Sequence, residues 1–383
     1  MKLSNQQADA VAAIEQWRRE GARQVFLLHG YAGTGKTTIL KAINPSGVAW
    51  CAPTGKAAAV MAAKGLTGAR TIHSMIYKPV IAVGPVEVQL RELQRQLPNV
   101  DDAARALIAE QINCLRASLA GPQFMPAEAG GGASLIVVDE CSMVNERLAA
   151  DLCNLDAKIL AVGDPAQLPP VIGRPGFGDA PDVLLTHIHR QAEDSPVVKL
   201  ATAVRRGDPI SGMQGVVSRV TPEAALDADQ IIVGRNNTRK ATNDRVRELR
   251  GLGASPYPES GERVIVLRNS RDYGVANGDM GVCVSSADVY DDVVYITVRL
   301  DAGGIVNLPT PIGPWYTGSA IDYDRDTVPC TYGYAITAHK AQGSEFDNVL
   351  VIDQSAAFGA DAGAWLYTAI TRARSSVTVV VSQ

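Results

Sequence analysis

The sequence predicts an α/β protein of two parallel-sheet lobes, the first carrying a helical insertion and the second a small β-barrel insertion. Three observations lead there. Short apolar runs that end in Gly, Pro or Asp turns alternate with helically spaced segments, the order of parallel strands covered by helices. That alternation occurs twice, interrupted by a stretch with the spacing of short β-strands. At 383 residues, the chain is also longer than one hydrophobic core usually organises.

In the first half the strand candidates are Gln24 to His29, Val48 to Ala52, Leu135 to Val138 and Ile159 to Val162. Each runs into a polar or glycine-containing turn, the end at which open parallel sheets hold ligands. Between them, Val86 to Ala120 carries Leu90, Leu93, Leu97, Leu107, Ile108, Ile112 and Leu115 at helical spacing, followed by Gly130 to Gly132. This predicts a helical insertion. A second series begins near Val183 and continues through Ile231 to Gly234 and the helix pattern Thr238 to Arg250. Short β-strands are then predicted at Arg263 to Leu267, Gly281 to Val284, Val293 to Val298 and Ile305 to Leu308, separated by Gly, Asn and Asp turns. The α/β pattern returns at Tyr332 and closes with Val349 to Ile352, a helix around Trp365 to Arg372 and a strand at Val377 to Val381. The predicted limits are 1–77 and 131–180 for the first lobe and 78–130 for its insertion. For the second lobe they are 181–258 and 331–383, with 259–330 for its insertion.

Hydrophobic residues make up 46% and charged residues 20%, no apolar run approaches a membrane span, and the start has no signal-peptide pattern. A soluble, unsecreted chain is predicted. The six cysteines (Cys51, Cys114, Cys141, Cys153, Cys283, Cys330) form no C-x-x-C pair, which suggests neither a zinc site nor a disulfide framework. A net charge of -4 argues against coating nucleic acid by charge alone, and leaves room for a local basic groove.

GYAGTGKTT, Gly30 to Thr38, follows a strand and opens a helix, the context of a phosphate-binding loop. Backbone N–H groups around Gly33, Thr34 and Gly35, joined by those of Thr37 and Thr38, face the phosphates there. Lys36 reaches the β and γ oxygens, and the Thr37 hydroxyl is suited to Mg²⁺. IVVDE, Ile136 to Glu140, buries a strand and delivers two carboxylates to its end. Asp139 is suited to Mg²⁺, and Glu140 to orienting and deprotonating an attacking water.

Taken in order, GYAGTGKTT, APTGKAA (Ala52 to Ala58), TIHS (Thr71 to Ser74), IVVDECSM, GDPAQLPP (Gly163 to Pro170), IHRQ (Ile188 to Gln191), ITAHKAQGSEFDNV (Ile336 to Val349) and YTAITRAR (Tyr367 to Arg374) resemble the motifs of superfamily 1 helicases. Within that superfamily the chain is similar to the B branch, the RecD-like and phage Dda-like 5′-to-3′ DNA helicases. The resemblance implies two RecA-like lobes, called 1A and 2A, with insertions 1B and 2B, the latter an SH3-like barrel. It implies that Gln167 senses the γ-phosphate and that Arg190 and Arg372 reach across the cleft to offset transition-state charge. Gln7 matches the residue that reads the adenine edge, Glu345 the acid at the ribose, and His189 an aromatic that stacks on adenine in some relatives. The DNA track would be gripped by Pro53, Thr54, Gly55, Lys56, Thr71 and His73 in the first lobe, and by Thr337, His339 and Lys340 in the second. Tyr77, Phe124, Trp315 and Tyr316 are the candidates for stacking on bases.

The implied cofactors are ATP and Mg²⁺. The implied partners are single-stranded DNA and single-strand/duplex junctions with a 5′ tail, with single-strand-binding protein as a further partner and no membrane. A monomer acting in bacterial or phage-infected host cytoplasm is expected. Two other readings keep the nucleotide site: a translocase that displaces proteins without unwinding, and an ATP-dependent switch, which would need neither the trans arginines nor the strand-contact loops. A recombination subunit is a further reading, although no nuclease or relaxase motif is visible.

Overall fold

The computed structural model describes residues 3–79, 124–126, 132–178, 180–188, 194–319 and 326–381, with single positions at 92, 93, 108 and 111. The helical pattern predicted between Val86 and Ala120 lies almost wholly outside the described residues, as do His189 and Arg190.

Six parallel strands form the first sheet, in the order Arg70–Thr71, Val48–Ala52, Leu135–Val138, Lys158–Gly163, Val25–Gly30, Val183–Leu185. Alternating side chains split its core in two. Phe26, Leu28, Trp50, Leu135, Val137, Leu160 and Val162 face the helices Asn5–Glu20, Lys36–Ala42 and Gly55–Ala63. Leu27, Cys51, Ile136, Val138, Ile159 and Ala161 face Ile72–Ile76 and Glu146–Cys153. A sheet covered on both faces explains why its strands read as continuous apolar runs.

One strand departs from the sequence reading. Val183–Leu185, assigned there to the second series, pairs in parallel with Leu28–Gly30 and is the edge of the first sheet. The Asp182 carboxylate accepts from Leu27 N at 2.8 Å and fixes this register. The first sheet therefore extends past residue 180, and the chain crosses to the second lobe after Leu185.

The second sheet is also parallel, in the order Ala335–Thr337, Gln230–Val233, Phe346–Ile352, Ala373–Val380, Val216–Val217. One face packs on Pro196–Arg206 and Ala362–Ile370 through Val197, Leu200, Trp365 and Ile370. The other face shares its core with the second insertion: Ile231, Val233 and Leu350 pack with Val264, Val294, Leu308 and Trp315. That insertion is an antiparallel half-barrel sheet, in the order Asp288–Tyr290, Val293–Leu300, Met280–Cys283, Arg263–Val266, Cys330–Tyr332, with Ile305–Pro311 pairing along Val293–Leu300. Tyr332, read from sequence as the return of the second lobe, still belongs to this sheet, where it faces Val264; the parallel sheet resumes at Ala335. A buried ion pair ties insertion to lobe, with Arg247 Nε on Glu262 Oε1 at 2.7 Å.

The first insertion leaves the lobe through Tyr77–Pro79 and returns through Phe124–Pro126, which pair antiparallel. A pair whose strands are so far apart in sequence has no local turn to announce it. All five described cysteines are free and buried or half-buried. Burial holds the thiols of Cys51, Cys141, Cys283 and Cys330 well above the usual range, as inert apolar residues require.

Candidate active site

Gly33 and Gly35 adopt φ of 78° and 79°, a left-handed conformation that folds the loop after Val25–Gly30 back over its own amides. Gly35 then caps the helix Lys36–Ala42 without a side-chain bond, so the first-turn amides stay available for an anion. The Lys36 ammonium lies inside the loop, 2.6 Å from Gly30 O, 3.3 Å from Tyr31 O and 3.8 Å from Asp164 Oδ2. Gln7 is buried beneath this loop: its amide donates to Thr34 O at 3.2 Å and accepts from Ser4 N at 3.1 Å. Gln7 thus packs against the phosphate loop through Thr34.

The strand Leu135–Val138 delivers Asp139 and Glu140 to the same cavity. Burial, reinforced by the adjacent Glu140 charge, pushes the Asp139 carboxyl up to about 6. Glu140 holds φ of 54°, one of two non-glycine residues with positive φ among those described. Strain of this kind persists where the surroundings dictate a side-chain direction, here into the cleft.

The second lobe completes the site. A cavity of about 280 Å³ is walled by the loop, Asp139, Glu140, Asp164 and Gln167 from the first lobe and by Glu345 and Arg372 from the second. The buried Arg372 places Nη1 3.7 Å from Glu140 Oε1. With its amide turned to satisfy both neighbours, Gln167 donates to Glu140 Oε2 at 3.2 Å and accepts from Arg372 Nη2 at 3.1 Å. Carboxylate, amide and guanidinium thus form one chain across the cleft. Glu345, matched to the ribose, bonds Lys64 of the first lobe at 2.6 Å and Arg374 at 3.2 Å. Burial alone would raise its carboxyl, but the hydrogen bonds and charges of Lys64 and Arg374 hold it below the usual range.

Several residues that sequence reasoning did not single out join the lobes here. The Tyr367 hydroxyl donates to Asp164 at 2.7 Å and accepts from Ala32 N at 2.9 Å, although Tyr367 and Asp164 lie 203 positions apart. Leu168 is buried in the second lobe's core, its N donating to Thr368 Oγ1 at 2.9 Å. The Arg205 guanidinium sits 3.8 Å from the Tyr31 ring centroid. A Cβ on Gly343, at φ of 73°, would lie 2.7 Å from Ala57 Cβ, so only glycine permits this approach of the lobes. Most of these residues fall within the quoted motifs, whose order hinted at them, but no spacing shows which partner each meets.

The residues matched to the DNA track lie at the carboxyl ends of parallel strands. Thr54, Thr71 and Thr337 each cap a following helix, accepting from Ala57 N at 3.1 Å, Ser74 N at 3.1 Å and Lys340 N at 3.4 Å. Pro53 and Gly55 share the Thr54 turn, and His73 lies 5.6 Å from the Tyr77 ring. Lys56 instead reaches the second lobe, 4.8 Å from the Phe346 ring, where burial pushes its ammonium down to about 8. His339 lies 6.0 Å from Phe358, and Lys340 bonds Asn277 of the insertion. Among the stacking candidates, Trp315 is buried and donates to Thr310 at 2.8 Å, which removes it, whereas Tyr316 is half exposed beside Tyr257. Tyr77 bonds Asp151, and the Phe124 side chain lies outside the described residues.

A family model of the AAA domain matches residues 2–220, and one of the UvrD-like helicase C-terminal domain matches residues 332–380. The ATP-dependent RecD2 DNA helicase of Deinococcus radiodurans is 25% identical over 409 residues, covering 97% of this chain and 48% of that protein. The RecBCD enzyme subunit RecD of Mycolicibacterium smegmatis is 27% identical over 301 residues, covering 64% of this chain and 50% of that protein. The chain thus spans about half the length of these relatives. Bacteroides Pif1 bound to single-stranded DNA aligns with a TM-score of 0.57 at 19% identity, over 100% of this chain and 92% of that one. Pif1 of Candida albicans aligns at 0.54 and 17% identity, over 100% and 95%. Both have the fold described above. With the AAA-domain match covering more than half of the chain, the chain belongs to that AAA-domain family; the UvrD-like helicase C-terminal domain behind it and the likeness to RecD proteins support a superfamily 1B, RecD-like helicase.

Proposed function

We propose that the chain hydrolyses ATP in the cleft between its lobes, moves 5′-to-3′ along single-stranded DNA and opens duplexes ahead of it. The observation that supports this best is the chain Glu140–Gln167–Arg372, which joins a general base on one lobe to a guanidinium on the other. A switch that only binds nucleotide needs no such group in trans. In this reading Lys36 and the loop amides hold the β and γ phosphates, Glu140 takes the proton of the attacking water, and Gln167 orients that water. Arg372 and Arg190 offset charge on the transferred phosphoryl group. The threonine-capped turns of both lobes hold sugar and phosphate without reading bases. Pif1 helicases of the same fold, one acting at forked duplex DNA and one bound to single-stranded DNA, support these partners.

Thr37 and Asp139 line one cavity and offer a hydroxyl and a carboxylate, a donor set suited to Mg²⁺. Bound there, the ion would supply positive charge at the phosphate oxygens. The raised Asp139 carboxyl gives a test that needs no turnover. Its ionisation is less favourable in the folded than in the unfolded chain, so stability is lost as pH rises from about 4 through about 6, and a cation at the site restores it. Mg²⁺ should therefore raise the melting temperature more at about pH 7.5 than at about pH 5. Equal shifts at both would remove Asp139 from the ion's ligands.

Closure of the cleft on a strand would align Arg372, so single-stranded DNA should stimulate ATP hydrolysis strongly. Arg372→Lys should lose roughly a hundredfold of the stimulated rate, because an ammonium lacks the fork that spans Glu140 and Gln167. Equal hydrolysis with and without DNA would favour the switch reading.

A further inference from the structure

Two neighbouring residues at the start of the phosphate loop are held from the second lobe, and the partner of the first belongs to none of the motifs quoted above. The Tyr31 ring carries the Arg205 guanidinium, whose central carbon lies 3.8 Å from the ring centroid. One residue on, Ala32 N donates to the Tyr367 hydroxyl at 2.9 Å. Arg205 stands in the last turn of the helix Pro196–Arg206. Val197 and Ala201 of that helix line the nucleotide cavity, and Arg205 follows them at the four-residue spacing that keeps side chains on one helix face.

Tyr31 is part of the cavity wall and Arg205 is not, so the guanidinium backs the ring rather than facing the nucleotide. Among the described residues Arg205 makes no ion pair with a carboxylate and no side-chain hydrogen bond; the half-buried ring is what holds it. Its charge also reaches Tyr367, where it works against the rise that burial gives the hydroxyl. The ring in turn is tied to the loop's grip. Tyr31 O accepts from Thr34 Oγ1 at 2.8 Å, from Thr34 N at 3.3 Å and from the Lys36 ammonium at 3.3 Å. An opening of the cleft that moves the helix away from the loop must part guanidinium from ring. Arg372 lies in the cavity wall, where a γ-phosphate would engage it, whereas the stack sits behind that wall and does not depend on that phosphate.

We infer that the Tyr31–Arg205 stack is a clasp between the lobes that slows the escape of nucleoside diphosphate after hydrolysis, with Arg205 as a positioning residue for product release. The inference rests on the proposed hydrolysis in the cleft and extends it to the step that follows. A cation over a tyrosine face needs the ring and not the hydroxyl, and a flat guanidinium covers that face better than an ammonium does.

The test follows release of N-methylanthraniloyl-ADP, loaded with Mg²⁺ on the full chain and chased with unlabelled ADP, by stopped-flow fluorescence. Arg205→Gln and Tyr31→Leu should each speed release about fivefold, within the range of a half-buried cation–π contact. Tyr31→Phe keeps the ring face and should release within about twofold of the unaltered chain. The two losses combined in one chain should be no faster than either alone, because each removes the same contact. Rates that multiply in the double variant, unchanged release in Arg205→Gln, or Tyr31→Phe releasing as fast as Tyr31→Leu would overturn the clasp and leave the nucleotide site standing. If Tyr31→Leu does not fold, Arg205→Gln is compared with Arg205→Lys, which keeps the charge and should speed release less; equal increases in both would overturn the clasp. Absence of labelled-ADP binding by the unaltered chain would sink the nucleotide-site reading itself.

Discussion

Lys36→Ala should leave the chain folded and its ATP hydrolysis lower by on the order of 10³-fold or more. The ammonium lies in the phosphate loop on carbonyl oxygens and beside Asp164, outside the apolar cores, so its loss removes no core packing. What disappears is the mobile positive charge that follows the β and γ phosphates as charge moves toward the leaving oxygen. Steady-state phosphate release, read beside a thermal melt, separates lost chemistry from lost fold. Near-normal turnover would sink the phosphate-loop assignment.

Glu140→Gln should bind ATP with nearly unchanged affinity and hydrolyse it about 10²- to 10⁴-fold more slowly. The amide matches the carboxylate in shape and keeps its place beside Arg372 and Gln167, but it takes no proton from water. The strained φ of 54° belongs to the backbone and survives the change. Fluorescent nucleotide binding and single-turnover hydrolysis, measured on one preparation, give both quantities. Lost binding with unchanged hydrolysis per bound ATP would reverse the metal and base roles of the acid pair.

What was legible in the sequence is what is local. Gly33, Gly35 and Lys36 are tied by the geometry of one turn, and Asp139 and Glu140 by the end of one buried strand. The insertion's strands could be read because Gly, Asn and Asp turns separate them. Contacts between distant segments were not legible. Val183–Leu185 reads like any short strand, and only its pairing with Leu28–Gly30 puts it in the first sheet. Gln7 matches a base-reading position, and only the fold shows that its amide also bonds Thr34 and Ser4. Trp315 could have been a stacking platform on composition alone; the shared core of lobe and insertion buries it. Arg239 sits in an ordinary charged helix pattern, and its burial depends on Gly318, far along the chain.

Hydrolysis in the cleft is proposed to drive directed movement along a strand. Its most direct test is a strand-separation assay on two duplexes that differ only in whether the single-stranded tail is 5′ or 3′, run with ATP and Mg²⁺ and repeated with Glu140→Gln. The 5′-tailed duplex should open, the 3′-tailed duplex should not, and Glu140→Gln should open neither. Opening of the 3′-tailed duplex alone would contradict the direction. Strand separation that persists in Glu140→Gln would contradict the claim that hydrolysis between the lobes powers it.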